Sequence, residues 1–184
     1  MPVYTPEKPD FNSSCPDFSL PAIDSEKTFS LTDFRNGKPF LIMFICNHCP
    51  YVKAIEDRLI SLGADLKKEN MNVIAICSND ENLYPEDNLV NLKKRMLEKN
   101  YPFFYLHDKM QTVAKTFGAI CTPDFFVYDH LGKLSYRGRL DDSWKDPALV
   151  TSRELYNAML ELAAKKPISK PQTPSAGCSI KWVK

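Results

Sequence analysis

Phe40-Leu41-Ile42-Met43-Phe44-Ile45-Cys46-Asn47-His48-Cys49-Pro50 sets an unbroken apolar run directly against two cysteines spaced two residues apart. A short continuous apolar run fits a strand covered on both faces. Beyond it, Val52, Ile55, Leu59, Leu62 and Leu66 recur at helical spacing with charges between them, the pattern of an amphipathic helix. Pro50 belongs in the first turn of that helix, where the donor it lacks has no intrahelical partner anyway. The cysteines therefore stand where a strand hands over to a helix. A helix N-terminus carries unpaired N–H groups and roughly half a positive charge, which favour a thiolate, the nucleophile of disulfide exchange. The spacing points to dithiol–disulfide chemistry at Cys46 and Cys49.

Working outward, Val73-Ile74-Ala75-Ile76-Cys77 reads as a second buried strand, and Pro85-Glu86 as the start of a helix with Leu89, Leu92 and Met96 on its apolar face. The alternation of strand and helix builds βαβ units. Residues 102–106 are expected to form a strand, and 111–117 a helix closed by Gly118. Phe125 to Tyr128 is expected to form a strand paired with residues 133–137 across the turn Asp129-His130-Leu131-Gly132. Thr151-Ser152-Arg153-Glu154 has the form of a capping box for a last helix that buries Leu155, Met159 and Leu162. Upstream, Phe18 to Leu20 pairs with Thr28 to Leu31 in an N-terminal hairpin or arm. The organisation expected is one α/β domain over residues 1–165, including that arm, and a tail over 166–184, where Lys, Pro, Ser and Gln dominate and Cys178 sits.

Composition narrows the function. The chain has 184 residues, 43% of them hydrophobic, enough for one substantial core. Lys+Arg 24 against Asp+Glu 23 leaves a formal charge of +1, so no basic footprint for nucleic acid or an anionic membrane is expected. The N-terminus lacks the basic-then-apolar pattern of a secretory signal, and no apolar run approaches the ~20 residues of a membrane span. A cytoplasmic location is the expectation, unless a signal has been removed. Six cysteines in a reducing compartment point to reduced, catalytic or metal-binding roles rather than structural disulfides.

A further motif, Cys121-Thr122-Pro123-Asp124, precedes the strand at Phe125. With the strand-Cys46-X-X-Cys49-helix arrangement and the terminal helix, it makes residues 15–165 resemble the thioredoxin superfamily. The arm around Cys15-Pro16-Asp17-Phe18 and the tail Gly177-Cys178-Ser179-Ile180-Lys181-Trp182 are similar to bacterial redoxin-domain proteins, thioredoxin-family or peroxiredoxin-like and related to AhpC/TSA. The resemblance implies a central mixed β-sheet flanked by helices, with an N-terminal β-extension and a C-terminal tail. It implies that Pro123 is cis and faces the dithiol, and that Thr122 offers its backbone to an extended substrate. It implies a thiol–disulfide oxidoreductase without cofactor, in which Cys46 attacks and Cys49, one turn into the helix, resolves. Its partners would be protein or small-molecule disulfides and thiols, with a thioredoxin- or glutathione-type reductant. The dipeptide Asn47-His48 is near those of disulfide isomerases, where a protonated histidine lowers the thiolate pKa.

Other readings stay open. The thioredoxin carboxylate on the entering strand is absent from Phe40 to Ile45, leaving Asp124 or Glu56 as substitutes. Arg137 and Arg139 read as surface salt-bridge residues. Cys121 and Cys178 are candidate extra redox thiols, Cys178 by docking of the tail and a mixed disulfide with Cys46 or Cys121. Cys77 reads as inert packing, and Cys15 shows no role. A peroxiredoxin-like antioxidant thiol peroxidase is the alternative function, against which stands the lack of a hydroxyl residue three positions before either cysteine. A metal-binding alternative has Cys46, Cys49, His48 and Cys121 holding zinc, copper or an iron–sulfur cluster, but it lacks a second closely spaced ligand pair.

Overall fold

The computed structural model describes residues 1–183; Lys184, the last residue of the expected tail, lies outside the described residues. In chain order the elements are β1 (Val3–Tyr4), β2 (Ser19–Pro21), β3 (Thr28–Ser30), α1 (Leu31–Phe34), β4 (Phe40–Phe44), α2 (Pro50–Lys68) and β5 (Val73–Cys77). They continue with α3 (Leu89–Lys99), β6 (Phe104–His107), α4 (Thr112–Phe117), β7 (Cys121–Thr122), β8 (Asp124–Tyr128), β9 (Leu134–Tyr136), α5 (Glu154–Ala163) and β10 (Ala176–Ser179). Five strands form the main sheet in the order β6-β5-β4-β8-β9. β5 runs parallel to β4, β6 runs parallel to β5, and β8 and β9 are antiparallel additions, so the sheet is mixed. Among the described residues no helix is long and apolar enough to cross a membrane.

The run at 40–45 is apolar throughout because β4 is the middle strand and both its faces are covered. Successive side chains of a strand point to opposite faces. Leu41, Met43 and Ile45 accordingly join Val52, Ile55, Leu59, Leu62 and Leu66 of α2 in one core layer. Phe40, Ile42 and Phe44 join Phe117, Phe126 and Tyr128 in the other. Each such side chain contributes roughly 1.5–3 kcal/mol on burial, so the strand that leads to the dithiol is anchored on both faces. The helix face that meets it includes one acid, Glu56, held by Arg95 at 2.6 and 2.7 Å and by the Tyr101 hydroxyl at 2.5 Å.

Three local expectations need correction. Pro85 opens a single tight turn, Pro85–Asp87, and α3 begins only after Asn88, whose side chain accepts from the Asn91 N–H; Leu89 is exposed. The capping box at Thr151 does not form. Thr151 bonds Asp142 instead, and Glu154 is taken by a two-pronged pair with Arg139 at 2.7 and 2.8 Å, leaving α5 without a side-chain cap. Arg137 is not a surface residue: it is buried and pairs with the fully buried Asp124 at 2.9 and 3.2 Å, with its guanidinium stacked on the Phe126 ring. The chain makes this possible because β8 and β9 are hairpin neighbours, which brings positions 124 and 137 together at the end of the sheet.

Residues 176–179 form β10, which lies between β1 and β7 in a second, antiparallel sheet: Val3 pairs with Gly177, Cys178 with Thr122, and Ser179 with Cys121. Gly177 is required for this approach, since a Cβ there would stand 2.2 Å from the Thr122 carbonyl oxygen. Ile180 then enters the second core layer. The C-terminal segment is thereby laid directly onto the strand that precedes Pro123.

Removing one partner of a buried ion pair strands the other charge, at a cost of about 3–5 kcal/mol. Arg137→Ala is expected to lower the unfolding free energy by about that amount in urea titrations, and a loss below about 1 kcal/mol would show that Asp124 is readily solvated or neutralised.

Candidate active site

Cys46 follows β4 in a tight loop, and Cys49 is the N-cap residue of α2, with Pro50 in the first helical position. Cys49 thus stands one residue before the helix rather than one turn inside it, because Pro50 fixes where helical backbone can begin. Neither sulfur is open to solvent: Cys46 is 2% exposed and Cys49 0%. Both meet Thr122. The Cys46 sulfur lies 3.3 Å from the Thr122 hydroxyl, and the Cys49 sulfur lies 3.0 Å from the Thr122 carbonyl oxygen. The Thr122–Pro123 peptide bond is cis.

Burial pushes the Cys46 thiol well up, and the hydrogen bond it gives Cys49 adds to this. The same hydrogen bond is the main cause that pulls Cys49 down to about 4, against burial, with help from Thr122 and from the backbone N–H groups of Val52 and Cys178. The Thr122 carbonyl is the group that opposes a charge on Cys49. The donors outweigh it, and the two thiols behave as a pair sharing one proton, with the thiolate on the residue at the helix N-terminus. The resemblance implies that Cys46 attacks, whereas the lowered pKa falls on Cys49.

A residue that sequence reasoning missed organises the loop. Asp87 is fully buried; its Oδ1 accepts from the Asn47 and His48 N–H groups at 2.7 and 3.2 Å, and its Oδ2 from Asn79 at 2.9 Å and His48 Nδ1 at 2.5 Å. Burial pushes its carboxyl up, but the His48 and Asn79 hydrogen bonds outweigh burial and hold it below the usual carboxylate range. His48 also stacks on Tyr84, with ring centres 4.6 Å apart. Its Nδ1 is 3.6 Å from the Cys46 sulfur, but a single N–H favours the shorter contact, so the proton goes to Asp87 and not to a thiolate. No periodicity marks Asp87; its one local signal is its place in Tyr84-Pro85-Glu86-Asp87, which reads as a helix start.

Asp124 and Glu56, the sequence candidates for a proton-transfer carboxylate, are bound to Arg137 and Arg95 instead. Cys121 is buried, donates to the Pro123 carbonyl at 3.5 Å, and is held above its usual pKa by burial. Cys77 is wholly buried, and burial raises it too. Cys15 is half-buried, its thiol pushed up to about 12 by burial. Cys178 is partly exposed, pairs in register with Thr122 and packs against the core cluster that includes Cys46 and Cys49. Cys46, His48 and Asp87 bring a sulfur, a nitrogen and an oxygen within 4.8 Å of one another. Two ligands of a tetrahedral zinc ion at about 2.0–2.2 Å stand roughly 3.4 Å apart, whereas His48 and Asp87 are in hydrogen-bond contact. Beside Pro123 a groove of ≈ 360 Å³ opens between Tyr51, Trp144 and Ser175; no cysteine lines it.

The mixed sheet, the cysteine pair between β4 and α2, and Pro123 before β8 define a thioredoxin-fold protein of the redoxin type. Residues 11–137 match the AhpC/TSA family, and the chain belongs to that family. No curated protein matches the chain. An uncharacterized conserved protein from Geobacillus kaustophilus is 38% identical, with a TM-score of 0.94 over 100% of this chain and 97% of its own. A hypothetical protein from Sinorhizobium meliloti 1021 is 36% identical, with a TM-score of 0.90 over 96% of each chain. The thioredoxin domain of a thiol-disulfide oxidoreductase from Bacteroides vulgatus shares the fold at 16% identity, with a TM-score of 0.64 over 85% of this chain and 99% of its own.

The Cys49 pKa has a thermodynamic consequence for the reduced protein. A group depressed on folding contributes stability above its unfolded pKa and loses it as pH falls through the folded value. The reduced form is therefore expected to lose stability progressively from the ordinary thiol range down to about pH 4, and its ultraviolet thiolate absorbance to vanish over the lower end of that window. A thiolate signal that disappears near the ordinary thiol pKa would remove the shared-proton description.

Proposed function

We propose that this protein is a thiol–disulfide oxidoreductase whose working couple is Cys46 and Cys49. The observation that carries the reading is the placement of both sulfurs against Thr122 at the N-terminus of α2, 3.3 Å from its hydroxyl for Cys46 and 3.0 Å from its carbonyl oxygen for Cys49, where the Cys49 thiol is pulled down to about 4. In the reduced protein one thiolate attacks a substrate disulfide and expels a substrate thiolate. The second cysteine then attacks the mixed disulfide, closes the Cys46–Cys49 bond and expels the second substrate thiolate; the one proton the pair holds passes to a leaving group, and solvent protonates the other. A low thiol pKa stabilises the reduced form, so the couple runs as an oxidant toward ordinary dithiols. The groove beside Pro123, with the Tyr51 and Trp144 ring centres 4.5 Å apart and tilted by 30° on its wall, suits an apolar portion of a substrate. A reducing, cytoplasmic setting with a thioredoxin- or glutathione-type thiol as electron donor fits six free cysteines.

A thiol-peroxidase reading draws on one observation, the Thr122 hydroxyl 3.3 Å from the Cys46 sulfur. Sequence spacing alone does not reveal that hydroxyl. The raised pKa of Cys46 weighs against it, since a peroxide needs a thiolate at the attacking sulfur.

Cys46→Ser and Cys49→Ser are each expected to abolish reduction of insulin disulfides; a variant with full activity would remove that cysteine from the couple. Stopped-flow oxidation of the reduced protein by hydrogen peroxide is expected to be much slower than exchange with a small disulfide. The reverse order would make the peroxidase reading the better one.

A further inference from the structure

Both sulfurs of the couple are buried, which slows direct attack on their disulfide by an external thiol, since exchange depends on access. What covers them is held firmly. β10 is pressed onto Thr122 at Gly177, and the Ser175 hydroxyl donates to the Pro123 carbonyl at 3.0 Å. Beyond β10 the Lys181 N–H donates to Asn79 at 2.8 Å, while the Lys181 carbonyl accepts from the Asp80 N–H and from Gln111, each at 2.8 Å. Asn79 in turn bonds Asp87, so the C-terminal segment is tied into the dithiol loop itself. Lifting it breaks all of these contacts together.

One sulfur in this cover is partly exposed. Cys178 is the register partner of Thr122, whose carbonyl oxygen lies 3.0 Å from the Cys49 sulfur, and it packs against the core cluster that holds Cys46 and Cys49. We propose that Cys178 is a third redox thiol, the port through which the buried Cys46–Cys49 disulfide is reduced from outside. The inference rests on the dithiol reading above and adds a route to it.

The exchange balances without a further reagent. The Cys178 thiolate attacks the Cys49 sulfur of the Cys46–Cys49 disulfide; the bond to Cys46 breaks, Cys46 leaves as a thiolate and takes up the proton that Cys178 gave up. The new Cys49–Cys178 disulfide presents a partly exposed sulfur. An external thiolate attacks Cys178, and Cys49 leaves. A second external thiol then frees Cys178, so that two reductant thiols end as one disulfide and the protein as three thiols. Leaving-group acidity favours the second step, because a thiol of low pKa departs fastest and Cys49 is pulled down to about 4; in the first step Cys46 leaves beside the Thr122 hydroxyl, 3.3 Å from its sulfur, which lowers its pKa against burial. Cys178 stands at about 11 in the reduced protein, raised by burial and then by its hydrogen bond to Cys49 and the charge there. In the disulfide form Cys49 carries neither, which eases ionisation of Cys178 at the step where it must attack.

Two variants test the route. Cys46→Ser, oxidised with glutathione disulfide and mapped by mass spectrometry, is expected to hold a Cys49–Cys178 disulfide; Cys49 joined to glutathione with Cys178 free would overturn the proposal. Cys178→Ser is expected still to form the Cys46–Cys49 disulfide, which shows that it folds, but to be reduced by glutathione about tenfold or more slowly than wild type in quenched-alkylation time courses. Reduction at the wild-type rate would overturn the relay while leaving the couple intact. Failure of the wild-type protein to form a Cys46–Cys49 disulfide at all would overturn both.

Discussion

The carbonyl and hydroxyl of Thr122 stand 3.0 and 3.3 Å from the sulfurs of Cys49 and Cys46, while the backbone of the same residue pairs with Cys178. A single residue thus sets the position of three sulfur atoms drawn from segments more than fifty residues apart. Thr122 can do this because β8, which follows Pro123 at once, is locked beside β4 by an antiparallel register running from Phe40 with Tyr128 to Phe44 with Asp124. The strand that delivers Cys46 and the strand that delivers Thr122 are neighbours in one sheet. Their relative position is fixed by backbone hydrogen bonds and a dry core, so the sulfur geometry inherits the stiffness of close-packed interior.

Electrostatics at the site follow from burial more than from charge. Apart from Cys49, every cysteine with a resolved shift is pushed up, and desolvation is the leading cause in each. Cys49 escapes because it collects donors: the Cys46 thiol, the Thr122 hydroxyl and two N–H groups. The buried carboxylate Asp87 lies close enough to raise Cys46 further, and its own negative charge is satisfied by Asn47, His48 and Asn79 rather than by the thiols. A histidine between two cysteines therefore does not by itself acidify the dithiol. Its effect depends on which acceptor takes its proton, and here the nearer acceptor is a carboxylate.

The Asp124–Arg137 pair plays a different part. Buried ion pairs contribute little net stability when intact and cost much when broken, so the pair is best understood as a constraint on register. Arg137 donates to both Asp124 oxygens and to the Gly118 carbonyl, tying the end of β9 to the start of β8 and to the turn that closes α4, where Gly118 adopts a φ of +63°. That knot lies immediately behind Pro123. It fixes the backbone on which the thiol geometry depends without touching a sulfur.

The strands, the main helices and the cysteine pair were legible because each leaves a local signal: a continuous apolar run at Phe40–Ile45, a helical period from Val52 to Leu66, two cysteines at the junction, and Pro50 marking where the helix begins. Thr122 and Pro123 were legible through resemblance to a known superfamily. Asp87, the burial of Arg137, the failure of the Thr151 capping box and the Cys49–Cys178 contact were not, and for one reason. Each depends on a partner distant in the chain: Asp87 on Asn47 and His48, Arg137 on Asp124, Glu154 on Arg139, Cys178 on a strand fifty-odd residues upstream. Sequence patterns report the interactions a residue makes with its near neighbours. Which polar groups meet inside the protein, which thiol keeps the proton, and whether a C-terminal cysteine lies free or against the dithiol were decided only when the sheet brought those segments together and excluded water around them.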